Sequence, residues 1–196
     1  MSSQATDNQK EGLGTVIVIT GPSGAGKDSV LDRARELGLE AAGVITTSTR
    51  PMRMGEAEGE PYYFISREEF EKKIEGGEML EWAEVYGNLY GSTKEEVERV
   101  RKQTPVVTLK IDPQGARAIK EMMPEVQTVF IKPPTIEFLE QRMRKRATDA
   151  EEVILKRLEV AKEEMEHLEQ WDHVLLNDEG KLDEASQELM SIIEKL

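Results

Sequence analysis

A chain of 196 residues, 38% hydrophobic and 33% charged, is long enough to bury the core of one domain with small insertions. Its formal charge of −13 excludes broad nucleic-acid binding, which rests on many phosphate-neutralising cations. The absence of cysteine rules out disulfides and thiolate metal sites and agrees with a reducing cytoplasm; the apolar runs are too short to cross a membrane.

Residues 1–13 lack the apolar core of a signal peptide and are expected to form a flexible tail. Thr15–Thr20, rich in β-branched residues, predicts a buried strand, and residues 29–37 predict a helix ended at Gly38. Val44-Ile45 predicts a short strand, followed by a polar, loop-like stretch through Gly59. Ser66 to Glu69 and Thr93 to Glu96 each have the spacing of a capping box, opening helices to about Gly76 and Lys102. Between them, Met79–Tyr90 predicts two strands joined by a turn at Gly87-Asn88.

Further on, strands are expected at Val106–Ile111, Val126–Ile131 and Val174–Leu176. Helices are expected over 114–122, from Pro133 to an interruption at Ala147–Asp149, over 150–170, and over 182–196. Strands alternating with helices, with a locally different middle, predict an α/β fold: a mostly parallel sheet carrying an insertion over about 46–93.

The most informative stretch lies between the first strand and the first helix: Gly21-Pro22-Ser23-Gly24-Ala25-Gly26-Lys27-Asp28-Ser29. A glycine-rich turn, a lysine and a helix N-terminus form the phosphate-binding P-loop, in which backbone N–H groups and the helix dipole surround an anion. The residue after the lysine is usually a hydroxyl that holds Mg²⁺; here it is Asp28. In such sheets ligands sit at the carboxyl ends of strands, where the loop, Asp112 and Asn177 all fall.

Arg50 and Arg53, followed by Glu56, Tyr62 and Tyr63, read as a second anion site, because guanidinium forks match phosphate oxygens. Arg142, Arg144, Lys145 and Arg146, with Lys156-Arg157, read either as a mobile cationic segment or as one solvated helix face. Donor nucleotide, acceptor phosphate and closing arginines are the parts that phosphoryl transfer requires.

The P-loop, Thr49–Glu56 with Gly59 and Tyr62–Phe64, Leu80–Glu84, Tyr90–Ser92, Ile111–Ala116, Pro133-Pro134 and Asn177-Asp178 together resemble guanylate kinase, in order, from about residue 14 to the C-terminus. The resemblance implies a three-layer P-loop NTPase fold with core segments 14–45, 94–141 and 158–196. It also implies a GMP-binding insertion at about 46–93 and a helical lid at about 142–157. The implied activity is ATP-dependent phosphorylation of GMP, and of dGMP, in cytoplasmic purine nucleotide metabolism and GMP recycling. ATP and GMP are then the partners and Mg²⁺ the cofactor, with nucleic acid and membrane excluded and a homodimer left open.

By position, Arg50, Arg53, Glu56, Tyr62, Tyr90 and Asp112 match the GMP side, and Thr46, Glu81 and Ser92 match the guanine readers. A carboxylate at Glu81 suits this role, since it can accept from both guanine N1–H and the exocyclic amine. Lys27, Arg142, Arg146 and Arg157 match the ATP-side and lid cations, and Asn177 a residue near the adenine, although it also reads as a turn-former.

Two positions depart from the family pattern: Asp28 replaces a small or hydroxyl residue, and Lys110 stands where an acid is frequent. An ion pair between them is expected, with Mg²⁺ held through water by Asp28 and Asp112. Two rivals are a kinase for another small phosphate, against which Glu81 and Ser92 speak, and a catalytically silent interaction module. Against the silent module stand the retained Lys27, Arg50 and Arg53.

Overall fold

The computed structural model describes residues 13–85, 87–146 and 150–196, except the side chains of Pro61 and Arg146. The elements run β1 (Thr15–Thr20), α1 (Lys27–Glu36), β2 (Ala42–Gly43), β3 (Thr46–Ser48), β4 (Ala57–Glu58), β5 (Pro61–Phe64), α2 (Arg67–Glu75), β6 (Met79–Val85) and β7 (Asn88–Thr93). They continue with α3 (Lys94–Arg101), β8 (Val106–Lys110), α4 (Pro113–Met122), β9 (Gln127–Lys132), α5 (Ile136–Arg146), α6 (Glu151–Glu166), a 3-10 turn at Leu168–Gln170, β10 (His173–Leu176) and α7 (Leu182–Ile193). Two compact units result: Ile17–Glu40 with Lys110–Leu196, and Ala41–Leu109 with the described residues before Ile17.

In the first unit β1 pairs in parallel with β9, from Ile17 opposite Gln127 to Thr20 opposite Phe130, and β9 pairs in parallel with β10. Val16–Ile19 are fully or nearly fully buried, which explains why the strand reads as a continuous apolar run rather than an alternation. Helix α1 buries Val30, Leu31 and Ala34. Helix α7 is tied to it by the fork of Arg33 on Asp183, at 2.7 and 3.1 Å, and by the buried Ser186 hydroxyl donating to Val30 O at 3.1 Å. Leu139 and Met143 of α5 pack with Ile154, Leu158 and Ala161 of α6.

Asp172 fastens the loop before β10 to β9. Its Oδ2 accepts from Thr128 N (2.9 Å) and Thr128 Oγ1 (2.8 Å), and Lys120 Nζ donates to both carboxylate oxygens at 3.0 and 2.8 Å. Burial works against this carboxylate, but the bonds from Lys120 and Thr128 outweigh it and hold its pKa below the usual range. A depressed folded-state pKa contributes stability above the ordinary carboxylate pKa, and that contribution is lost as pH falls through the folded value. Asp172→Asn should therefore lower stability by about 2 kcal/mol at neutral pH, or roughly 4–8 °C in melting temperature. Thermal melts across pH should show the gap to wild type closing as pH falls below the ordinary carboxylate value; a gap that persists in strong acid would mean that lost packing, not lost charge, is responsible.

In the second unit β2 pairs in parallel with β8, and a separate five-stranded sheet runs β4-β5-β3-β7-β6. That sheet is mixed: β3–β5 and β4–β5 are parallel, β3–β7 and β6–β7 antiparallel. Its core is Phe70 of α2 against Met79 and Leu89, with Ile65 and Ile74 beside them. The Ser66 capping box is complete.

The Thr93 box is half made. Its hydroxyl accepts from Glu96 N, but the buried Glu96 carboxylate takes a fork from Arg99 at 2.7 and 2.8 Å and Ile45 N–H at 3.4 Å.

Two expectations are corrected here. Val44-Ile45 is not a strand but the step between two: Val44 N still bonds Thr108 O, and pairing resumes at Thr46 in the other sheet. The loop expected through Gly59 contains β3 and β4, because Thr47 and Ser48 find partners at Gly91 and Tyr90 and Ala57-Glu58 pair with Pro61-Tyr62. Among the described residues no helix is long and apolar enough to cross a membrane.

Candidate active site

The glycine-rich loop joins β1 to α1 in the conformation its glycines demand. Gly21 has φ 135°, and a Cβ there would lie 2.3 Å from Ile131 O. Gly26 has φ 92°, and a Cβ would meet Asn177 Nδ2 at 2.3 Å. No side chain caps α1, so its first N–H groups are left for an anion.

Two side chains from other elements brace the loop. Buried Asn177, just after β10, donates from Nδ2 to Ala25 O at 2.7 Å, and Arg142 Nη1 of α5 reaches the same carbonyl at 3.3 Å. Asn177 thus braces the glycine-rich loop, a role its turn-like sequence did not disclose. Arg142 also lies over the Phe138 ring, 4.4 Å from its centroid.

Lys27 folds back on its own loop: Nζ donates to Gly21 O at 2.5 Å and Pro22 O at 3.1 Å. Burial pushes its pKa down to about 8, against the attraction of Glu164, Asp28 and Asp112. Glu164, on α6, is pushed up to about 7 by burial, with Lys27 opposing and Asp112 adding to the rise. No local pattern marks this carboxylate, because Glu163 and Glu164 look alike on a charged helix and only packing separates them.

The expected Asp28–Lys110 pair is present, Lys110 Nζ donating to Asp28 Oδ1. Burial alone would raise Asp28, but the Lys110 bond and charge bring it below its ordinary value. Ile111 N bonds Ile19 O at 3.2 Å, which sets Asp112 beside the end of β1. Asp112 Oδ1 caps α4 through Gly115 N at 2.9 Å.

A divalent ion would therefore meet two exposed carboxylates, Asp28 and Asp112, beside the loop. Among the described residues no group of three or more His, Cys, Asp or Glu is arranged to hold a metal. Magnesium needs only one or two carboxylates when phosphate and water complete its shell, so the pair suits an ion arriving with the nucleotide.

Arg157 sits half-buried on α6, Arg146 closes α5 with its side chain outside the described residues, and the 147–149 interruption is likewise outside them. Arg144 is spent on Glu140 and Glu151.

In the other unit Arg50 forms a fork on Glu56 at 2.9 and 2.8 Å, and Arg53 N–H donates to the same carboxylate at 2.8 Å. These bonds, first that from Arg50, hold the Glu56 carboxylate below the usual range. The Arg50 guanidinium lies 5.3 Å from both the Tyr62 and Phe64 ring centroids, and Tyr62 meets Tyr90 edge-to-face at 5.8 Å. The Arg50 backbone N–H donates to the buried Ser48 hydroxyl at 3.1 Å, a brace that no local pattern marks.

Strands β6 and β7 carry an irregularity between Met79 and Glu81 that brings Glu81 opposite Ser92. Both are buried, at 8% and 0% exposure, while Trp82 on the opposite face is exposed. Ser92 Oγ has no hydrogen-bond partner among the described residues. A buried hydroxyl left so is expected where a ligand supplies the bond. Thr46 starts β3 opposite Tyr62. Strand register thus places one carboxylate and two hydroxyls on the same sheet as Tyr62 and Tyr90, beside which Arg50 lies.

The family model for guanylate kinase matches residues 14–196. The chain is similar to the guanylate kinase of Carboxydothermus hydrogenoformans, 44% identical over 92% of this chain and 87% of that one. It is likewise similar to that of Symbiobacterium thermophilum, 45% identical over 95% and 86%. The crystal structure of guanylate kinase from Anaplasma phagocytophilum superposes with a TM-score of 0.71 at 33% identity, covering 94% of this chain and 87% of that one. With loop, arginine fork and buried carboxylate all within the matched span, the chain belongs to the guanylate kinase family.

Proposed function

We propose that the chain transfers the γ-phosphoryl group of ATP to GMP, and to dGMP, in cytoplasmic purine nucleotide metabolism. The observation that carries this reading is buried Glu81 set by register against Ser92, whose hydroxyl is unbonded. Guanine presents N1–H and an amine to a carboxylate, whereas adenine lacks that pair of donors and would strand a buried charge.

In this reading residues 21–29 and Lys27 hold the donor phosphates. Asn177 supports them through Ala25, and Arg142, Arg146 and Arg157 close on them from a lid at about 142–157. The acceptor part is residues 46–93: Arg50, Arg53, Tyr62 and Tyr90 take the GMP phosphate, while Glu81, Ser92 and Thr46 read the base. Glu56 now holds the Arg50 fork, so an incoming phosphate exchanges with a carboxylate of the same geometry. Asp112 serves the acceptor side and, with Asp28, would hold Mg²⁺ through water. The ion, when bound, neutralises charge on the transferring group. The acceptor is already an anionic oxygen, so catalysis is positioning plus cationic stabilisation, with no strong base required.

An assay of ADP release with ATP and Mg²⁺, offering GMP, AMP, CMP and UMP separately, tests the assignment. GMP should exceed each of the others by about 10³-fold or more in kcat/KM. Turnover of AMP with none of GMP would overturn it.

A further inference from the structure

We propose that Lys110 is a phosphate-binding residue of the donor site, a resident cation that lets the triphosphate bind without a metal ion and that keeps a free metal ion off Asp28. The proposal rests on the reading of residues 21–29 as the site of a nucleoside triphosphate, and it deepens that reading.

A carboxylate in the first turn of a phosphate-loop helix poses a problem of charge. The helix end and loop N–H groups attract an anion, but Asp28 places a like charge among them, at the position where P-loops ordinarily offer a neutral hydroxyl. The structure answers with Lys110, which comes from the last residue of β8, 82 residues away in sequence, and donates to Asp28 Oδ1. The two charges cancel locally. An ammonium has three N–H donors, and the bond to Asp28 uses one. The other two remain for phosphate oxygens.

Lys27 does not fill this place. Its ammonium is turned onto Gly21 O and Pro22 O, whereas Lys110 and Asp28 keep 45% and 71% of their side chains open to solvent. An exposed pair is also easily opened, so it can exchange partners when a ligand arrives. The same geometry has a second consequence. While Lys110 holds Asp28, a divalent ion that comes without nucleotide must compete with an ammonium for the carboxylate.

Calorimetric titration of the full chain reads both consequences. With ATP in excess EDTA, Lys110→Met should bind about tenfold more weakly than wild type, the loss expected for one charge-assisted bond. Asp28→Ser combined with Lys110→Met should recover most of that loss, because the hydroxyl no longer opposes the phosphates. With Mn²⁺ alone, Lys110→Met should bind the ion about tenfold more tightly than wild type, its carboxylate now being uncovered. Lys110→Gln serves as a second variant that keeps a neutral donor.

Metal-free ATP affinity within about twofold of wild type in both Lys110 variants would overturn the proposal whatever Mn²⁺ does. Failure of the wild-type chain to bind ATP with Mg²⁺ would instead overturn the nucleotide-site reading, so the two failures are distinguishable.

Discussion

Replacing Lys27 with methionine should lower kcat by about three orders of magnitude. The side chain lies within the glycine-rich loop and donates to Gly21 O and Pro22 O. Methionine keeps most of the buried stem and removes only the ammonium, so the loss reports charge at the phosphates rather than packing. At about 1.4 kcal/mol per decade, a thousandfold loss corresponds to about 4 kcal/mol of transition-state stabilisation. Exposed pairs such as Lys72–Glu68 carry at most a fraction of that. Lys27→Arg is not expected to rescue, because a planar guanidinium cannot make the same turn onto two adjacent carbonyls. Single-turnover kinetics with a melting curve decide the matter: an intact melt with kcat within tenfold of wild type would remove Lys27 from the chemistry.

The second large effect is expected at Glu81, where Glu81→Gln should lower kcat/KM for GMP by about 10²- to 10³-fold and leave KM for ATP within about twofold. The amide keeps one acceptor oxygen but turns an N–H₂ toward one of guanine's own donors, so one buried donor on the base is left facing another. AMP should gain slightly, since its N1 acceptor can take the amide N–H that the carboxylate lacks, while its amine sits elsewhere on the ring. IMP, which lacks the second donor, should be discriminated against less strongly than in wild type. Steady-state kinetics with GMP and IMP measure both effects. If KM for ATP rises in step with that for GMP, Glu81 is holding the strands together and not reading the base.

The parts legible from sequence were those whose cause is local. Val16–Ile19 could only be a buried strand, and Ser66 with Glu69 announced the start of α2 before any partner was known. The glycine-rich loop was equally plain, because only glycine tolerates φ 135° with Ile131 O so close.

What stayed hidden depended on distant pairing. Thr46–Ser48 is polar and reads as loop until Tyr90 and Gly91 close against it, some 40 residues later. The Glu96 carboxylate was expected to complete a helix cap and instead went to Arg99 and Ile45. Asp28 and Lys110 were brought together by complementary charge at two departures from the family pattern, and the structure joins them. Glu164 had no such clue, since burial is a property of its surroundings rather than of the letters around it.

The strand ahead of the glycine-rich loop has a further consequence for synthesis. Residues 17–20 emerge early from the ribosome, yet their partner Gln127–Phe130 comes more than a hundred residues later, and the helix clasping α1 through Asp183 and Ser186 comes later still. At roughly 5–20 residues per second, this β-branched segment stays unpaired on the order of ten seconds. During that interval an apolar, β-branched run without charge lies exposed, which makes it a site of aggregation until its partners arrive. A premature stop just before Leu182 would therefore remove the clasp on α1 from a point some 150 residues downstream, while Asn177 and Arg142 stay on the loop.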